Sequence, residues 1–341
     1  MGYGIQIQPG DGGKPVNITT TARAASYLGE YNPPFNNQGG ATTVQIPGWI
    51  PGAQLFVLPI RTAITYQPPM SPVVLTMNAS SISIVNDLVH IQLKGFRYPA
   101  DRGDRPVIFR CMQVMAGQSS GGNYGIALQD ATNYAEINDA SIAGFCVWRG
   151  EVQIAPNWRV PDSVQFRQNC TVFAHWNSPD VTLDFDEASK TISGWRRQGD
   201  IYTSQNNINI TAQVCIFSNG APPLPPRYGL AIWNKQGQCT FSSDFAPLLL
   251  RGIINVQRGP GQYTGAPAGV GRMMVPLSRL GVHELRTNGL VNNFFAGMRM
   301  SGNAITAFLG RKNTHYIASD YWIDFAITQL PLPVIDANDY F

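Results

Sequence analysis

Histidines, cysteines and paired carboxylates most often carry catalysis or bind metal, and this chain spaces them badly for either task. His90, His175, His283 and His315 form no H-x-H or H-E-x-x-H pattern, and His90 falls on the polar side of an alternating run. Surface or packing roles are expected for all four. Cys111, Cys146, Cys170, Cys215 and Cys239 are odd in number and far apart, with no C-x-x-C pair, so neither a zinc site nor a disulfide framework is indicated. Asp180, Asp184, Asp186 and Glu187 make a denser group. Asp184 and Asp186 alternate with Val181, Leu183 and Phe185, which puts the two carboxylates on one strand face roughly 7 Å apart. An exposed polar face is the expectation, with weak calcium binding as the alternative.

Residues 265–272, Gly-Ala-Pro-Ala-Gly-Val-Gly-Arg, have the glycines of a phosphate-cradling loop but lack its Gly-Lys-Ser/Thr ending, and no helical pattern follows. No catalytic residue, cofactor or metal ligand is assigned, and the expectation is a protein that is not an enzyme. Aromatic residues with basic neighbours, such as Trp195-Arg196-Arg197, Trp148-Arg149 and Trp158-Arg159, could stack sugars or bases, but core or interface packing of the tryptophans is the expected explanation. Trp195 and Arg196, with Tyr263 and Arg272 further along, are the candidate receptor or subunit contacts.

The elements that would position these residues repeat. Tyr3-Gly4-Ile5-Gln6-Ile7, Tyr124-Gly125-Ile126-Ala127-Leu128 and Tyr228-Gly229-Leu230-Ala231-Ile232 share one pattern, at spacings of domain size. Each reaches a turn and a second apolar run: Gly12-Gly13 before Val16 and Ile18, Thr132-Asn133 before Ala135 and Ile137, Gln236-Gly237 before Cys239 and Phe241. Three β-hairpins are predicted, with glycine or asparagine supplying the positive φ of the turn. Leu55–Leu58 corresponds to Val172–Ala174, and Phe294-Phe295 is the third copy's counterpart. A further hairpin follows at Ser81–Leu93 around Asn86-Asp87, and again from Val181 to Ile192. Closing strands are expected at Val107–Val114, Ile208–Ile216 and Trp322–Ile327; in the second, Ile208, Ile210, Ala212, Val214 and Ile216 share one face.

No segment has helical periodicity, and 34 glycines and 25 prolines punctuate the chain. The predicted class is all-β: three tandem β-sandwich-like domains at 1–117, 118–221 and 222–341. The flexible stretch Gly117–Gly122 and the stiff Pro222–Pro226 mark the joints, and 259–271 is a Gly/Pro-rich insert too irregular for a strand. Charged residues are 13% of the 341, about half the usual share, while hydrophobic residues are 44%, so disorder is not expected. The net charge of +3 gives no field to steer the chain onto nucleic acid. No apolar run is long enough to cross a bilayer, and the opening residues lack a secretion signal, so neither membrane insertion nor export is expected. The four Asn-x-Ser/Thr sequons at Asn17, Asn78, Asn169 and Asn209 read as coincidence.

Residues 228–241, Tyr-Gly-Leu-Ala-Ile-Trp-Asn-Lys-Gln-Gly-Gln-Cys-Thr-Phe, followed by Ser242-Ser243-Asp244, resemble the opening hairpin of tailed-bacteriophage tail proteins, commonly Tyr-Gly-Leu-x-Val-x-Asn-x-x-Gly-x-x-x-Phe. The first copy departs through its longer turn and the second through its missing glycine. The resemblance covers about fifteen residues per copy. It implies a structural virion protein of the distal tail, tip or fibre-attachment region, made in the bacterial cytoplasm and acting by oligomeric assembly with itself and other tail proteins. Alternatives are a tail protein that binds host-surface carbohydrate through the 259–272 loop with Tyr263 and Arg272, and a capsid decoration protein. Low charge with abundant amide and hydroxyl side chains suits surfaces buried in a permanent assembly.

Overall fold

Apolar residues alternate along segment after segment, and strands are what that period builds. The computed structural model describes residues 4–341 except 20, 35–39, 67–74, 97–104, 116–124, 130–133, 199–201, 258–261, 288–289 and 318–324. Among the described residues the chain is all-β, with short 3-10 turns at Arg167–Asn169 and Ala337–Asp339 and no α-helix.

The first segment opens with β1 (Gly4–Ile7), β2 (Val16–Thr19), β3 (Arg23–Ala24), β4 (Ser26–Tyr31) and β5 (Gly40–Gln45). It continues with β6 (Ala53–Arg61), β7 (Ala63–Tyr66), β8 (Leu75–Val85), β9 (Leu88–Phe96) and β10 (Ile108–Met115). The second holds β11 (Gly125–Gln129), β12 (Tyr134–Asn138), β13 (Phe145–Ile154), β14 (Asn157–Arg159) and β15 (Cys170–Trp176). Then come β16 (Ser178–Asp186), β17 (Thr191–Gln198), β18 (Tyr202–Ser204) and β19 (Ile210–Ser218). The third has β20 (Ala231–Trp233), β21 (Cys239–Ser242), β22 (Leu249–Leu250), β23 (Gly252–Asn255), β24 (Thr264–Gly265) and β25 (Met273–Pro276). It ends with β26 (Gly281–Thr287), β27 (Leu290–Ser301), β28 (Ala304–Ile317), β29 (Phe325–Ile327) and β30 (Pro331–Asp336).

One topology recurs three times. Each segment begins with a two-stranded hairpin, β1-β2, β11-β12 and β20-β21, as the repeated sequence pattern predicts. Gly12 and Gly237 take φ of +71° and +75° at the first and third turns, the backbone that only glycine adopts without strain. Each segment then places its last strand centrally in a three-stranded inner sheet, in the orders β4-β10-β6, β13-β19-β15 and β23-β30-β25. Each also forms an outer sheet around a β-hairpin: β5-β9-β8-β7, β14-β17-β16 and β24-β28-β27-β26. The sheets run across the division expected at 221: β15 pairs with β25 and β16 with β27, giving six- and nine-stranded sheets shared by the last two segments.

The inner strands explain the amount of buried apolar surface. One face of each packs on the outer sheets through Val57, Cys111, Val172, Val214, Val275 and Val334. The other meets a second core in which Phe56, Met112, Phe173, Phe217, Met274 and Ile335 join residues of all three hairpins, among them Val16, Ile137 and Phe241. Strand β19 shows the switch: Ala212, Val214 and Ile216 face the first core, as the alternation predicts, while Cys215 and Phe217 on the opposite face are also fully buried. The chain end is locked into this second core. Tyr340 is 1% exposed, its hydroxyl donates to Pro247 O at 2.9 Å and accepts from Leu249 N at 2.9 Å.

Four expectations are corrected. The third closing strand is β30, not 322–327; Phe325–Ile327 is β29, which pairs with β26 in the outer sheet. The counterpart of Leu55–Leu58 in the third segment is β25, and Phe294-Phe295 lies in β27. The closing strand is displaced because the third segment carries longer outer strands, β27 and β28, ahead of it. The 259–271 insert contains a strand, β24, whose Thr264 and Gly265 pair with Ile305 and Ala304. Asp184 is not on an exposed face, as detailed below. The Gly117–Gly122 joint, the Thr132-Asn133 turn and the first two pattern tyrosines lie outside the described residues.

Candidate functional site

Pairing across the nine-stranded sheet aligns one row of side chains on the face turned away from the apolar core. Thr182 in β16 sits opposite Trp195 in β17 on one side and Arg299 in β27 on the other, and Arg299 sits opposite Thr306 in β28. The β24 register carries Tyr263, one residue before that strand, towards Thr306, and Tyr263 lies within electrostatic reach of Arg299. The row therefore runs aromatic, threonine, arginine, threonine, aromatic on a face that the sheet curls over: Thr182 is 0% and Thr306 1% exposed, and Thr203 Oγ1 in β18 donates to Gly310 O in β28 across it. Gly297 lets β27 come this close, since a Cβ there would meet Leu183 O at 2.5 Å.

The centre of the row is rich in donors and poor in acceptors. The Arg299 guanidinium lies over the Phe308 ring, 3.7 Å from its centre. Its Nε, the Trp195 Nε1 and the Thr182 Oγ1 are all buried without a hydrogen-bond partner. Burial lowers the pKa of Arg299, with Arg197 adding to that and Tyr263 and Asp180 opposing it. A desolvated cation is costly, and Tyr263 and Asp180 offset part of that cost. Sequence reasoning passed over Arg299. The available signal was the alternation of Phe294, Ala296, Met298 and Met300, which sets Arg299 and Gly297 together on the non-core face.

Of the four candidate contact residues, the structure brings Trp195 and Tyr263 onto this row. Arg196 is next to it but engaged, with Nε 2.7 Å from Asp180 Oδ2 and Nη1 donating to Asn207 O. Arg272 lies elsewhere, tying Nε to Asn338 Oδ1 at 2.7 Å and Nη1 to Gln213 Oε1 at 3.1 Å. It is a strut between the last two segments.

The carboxylates expected on an exposed face have a different role. Asp184 is 3% exposed and receives Arg279 Nε at 2.9 Å and Nη2 at 3.2 Å, while Nη2 also reaches Asp186 at 3.0 Å. Arg279 O in turn accepts from Thr62 N and Oγ1, so one residue of the third segment binds both others. The period of two placed the carboxylates on one face correctly; the paired segment that covers that face was not legible. Arg110 makes a second tie, to Glu30 at 3.1 Å and Glu187 at 2.5 Å, and Lys190 also binds Glu187. A third joins Arg149 to Asp11 at 2.8 Å. Among the described residues, no cluster of three metal-ligating side chains occurs.

The model of a family of unknown function, DUF6453, matches residues 4–318. The chain belongs to that family. No curated protein and no solved structure matches it.

In this DUF6453 member the three segments also enclose a polar groove of about 590 Å³, lined by Tyr27, Gly48, Asn169, Asn219, Asn234 and Gln238 among others. None of its lining residues is charged. Burial pushes the Tyr27 hydroxyl up to about 12, Glu30 adding to this and Arg110 opposing it, so it stays a neutral donor.

His283, 7% exposed in β26, is pushed down to about 4 by burial, with Arg197 nearby acting in the same direction. The unfolded chain, with an ordinary histidine pKa near 6.5, binds a proton that the folded DUF6453 chain refuses between these values. Stability is therefore complete above the unfolded pKa and falls as pH drops towards the folded one, by up to roughly 3 kcal/mol. Urea titrations at pH 7.5, 6, 5 and 4.5 should show this decline, and His283→Gln should flatten it. An unchanged slope in the variant would assign the decline to other groups.

Proposed function

We propose that the protein is a structural subunit of a tailed-bacteriophage virion, in the distal tail, tip or fibre-attachment region, working by assembly rather than by catalysis. The observation that carries this reading is the triplicated Tyr-Gly hairpin, each copy leading into the same pair of sheets. A chain built as three like segments that share a core can repeat one kind of contact, which suits docking onto a symmetric neighbour. Its low charge and abundant amide side chains favour permanent contacts.

Mass spectrometry of purified particles from the source culture tests the proposal. A few copies per particle, at a small multiple of three or six relative to the tail-tube protein, would support it. Hundreds of copies would favour capsid decoration, and absence from particles would overturn the virion reading. A second reading, contact with carbohydrate on the host surface, rests on the exposed Tyr263 ring in the 259–272 loop.

A further inference from the structure

We propose that the polar groove walled by all three segments is a binding site for a short neutral saccharide, with Asn169, Ser141 and Gln238 meeting its hydroxyls and Tyr27, Leu28 and Pro47 its carbon face. The proposal does not rest on the virion reading, because the ligand class follows from the lining within one chain. It also lies apart from the Tyr263 loop, which contributes no residue to the groove.

Three observations carry it. The first is how the amides are set. Asn234 Oδ1 accepts from Gln236 N at 3.0 Å and Gln238 N at 2.9 Å, and its Nδ2 donates to Gln238 Oε1 at 3.0 Å. The β20-β21 turn thus fixes the Gln238 amide by its oxygen and leaves Nε2 as a donor for a ligand. Asn169 is held by Nδ2, which donates to Asn219 O at 2.9 Å, and by its carbonyl, which accepts from Asn219 N at 3.1 Å, so Oδ1 is left as an acceptor. Gln238 and Asn169 are both exposed, and half-buried Ser141 between them in the lining adds a hydroxyl that can donate and accept.

The second observation is the lack of charge. An ionic ligand would shed its water here without meeting a counter-charge, whereas amides and hydroxyls replace the hydrogen bonds that water makes to a neutral polyol. The volume of about 590 Å³ falls within the roughly 300–1,000 Å³ of small-ligand sites. One wall is apolar and fixed in place: a Cβ at Gly220 would lie 2.5 Å from Tyr27 Cδ1, so this glycine seats the tyrosine ring. The third observation is that strand edges at the groove are taken. Tyr27 N in β4 donates to Ile142 O at 3.2 Å, and Thr240 O in β21 accepts from Ala143 N at 3.0 Å. An extended peptide, which binds by adding to such an edge, finds both already paired with 142–143.

Calorimetric titration of the full chain tests this with maltotriose, cellotriose and triacetylchitotriose as neutral probes, trigalacturonate as an acidic one, and a capped neutral tetrapeptide. The expected result is saturable binding of at least one neutral trisaccharide, at least tenfold tighter than trigalacturonate and unchanged as salt rises. Gln238→Ala should weaken it about two- to tenfold, the loss of one neutral hydrogen bond. Ala140→Trp, which adds bulk at an exposed lining position and removes no polar group, should abolish it. No neutral trisaccharide bound at millimolar concentration, trigalacturonate bound as tightly, or binding that survives Ala140→Trp would each overturn the proposal. Tighter binding of the tetrapeptide would replace it with a peptide ligand. If circular dichroism shows that Ala140→Trp does not fold, the ranking of probes on the unmodified chain and the effects of Gln238→Ala and Ser141→Ala still decide the matter.

Discussion

Replacing Arg279 with methionine is expected to cost about 3 to 5 kcal/mol of folding stability at neutral pH, the range for removing one partner from a buried charge pair. The side chain is 17% exposed and Asp184 3%, so the carboxylate left behind has little access to water. Burial alone would lower the pKa of Arg279; Asp184 and then Asp186 more than offset it and hold the guanidinium charged. Asp186 is held below the usual carboxylate range despite its burial, by Ser189 N–H and by Arg279. Without Arg279 the two carboxylates repel each other, and protonation becomes the way to relieve them. The destabilisation should therefore shrink as pH falls towards the carboxylate range. Urea denaturation of both chains at pH 7.5 and pH 4.5 measures this. A loss below 1 kcal/mol at neutral pH, the figure for an exposed ion pair, would mean that the fork does not tie the segments together.

The second large effect is expected at Phe217. This ring is fully buried in β19 and meets Phe173 edge-on at 5.6 Å and Tyr340 at 5.5 Å. Phe217→Ala removes both contacts and opens a cavity where the inner sheets and the chain end converge. The loss should be about 3 to 5 kcal/mol from transfer and cavity terms together, towards the upper end because two aromatic pairs go with it. The shape of the transition carries as much information as its midpoint. A single transition by circular dichroism and tryptophan fluorescence, displaced as a whole, is expected if the shared core makes the segments fold as one unit. Several transitions, of which only one moves, would show that each segment folds by itself.

Short-range pattern made much of the architecture legible. Alternation at Ile208–Ile216 and Ser81–Leu93 identifies strands because side chains two apart share a face, whatever lies across from them. The hairpins were readable from Gly12 and Gly237, since positive φ restricts the turn residue locally. The closing strand of the third segment was not readable, because Pro331–Asp336 and Phe325–Ile327 are both short apolar runs and only their partners, β25 with β23 or β26, tell them apart.

The candidate site divides in the same way. Trp195 and Tyr263 stand out by residue type, but nothing within either segment brings them into one row; that depends on β16 pairing with β27 across 115 or more residues of chain. Arg299 is inconspicuous in the sequence and distinctive in the fold, because what marks it is a buried Nε and a guanidinium packed over Phe308. Asp184 is the converse: a dense carboxylate run looks like a site until Arg279 covers it. Sequence alone determined the all-β class, the triple repeat and which residues share a strand face, all properties of neighbours a few positions apart. Which faces became buried and which charges found partners were decided only by tertiary pairing, since burial and Coulomb energy depend on distance in space and not along the chain.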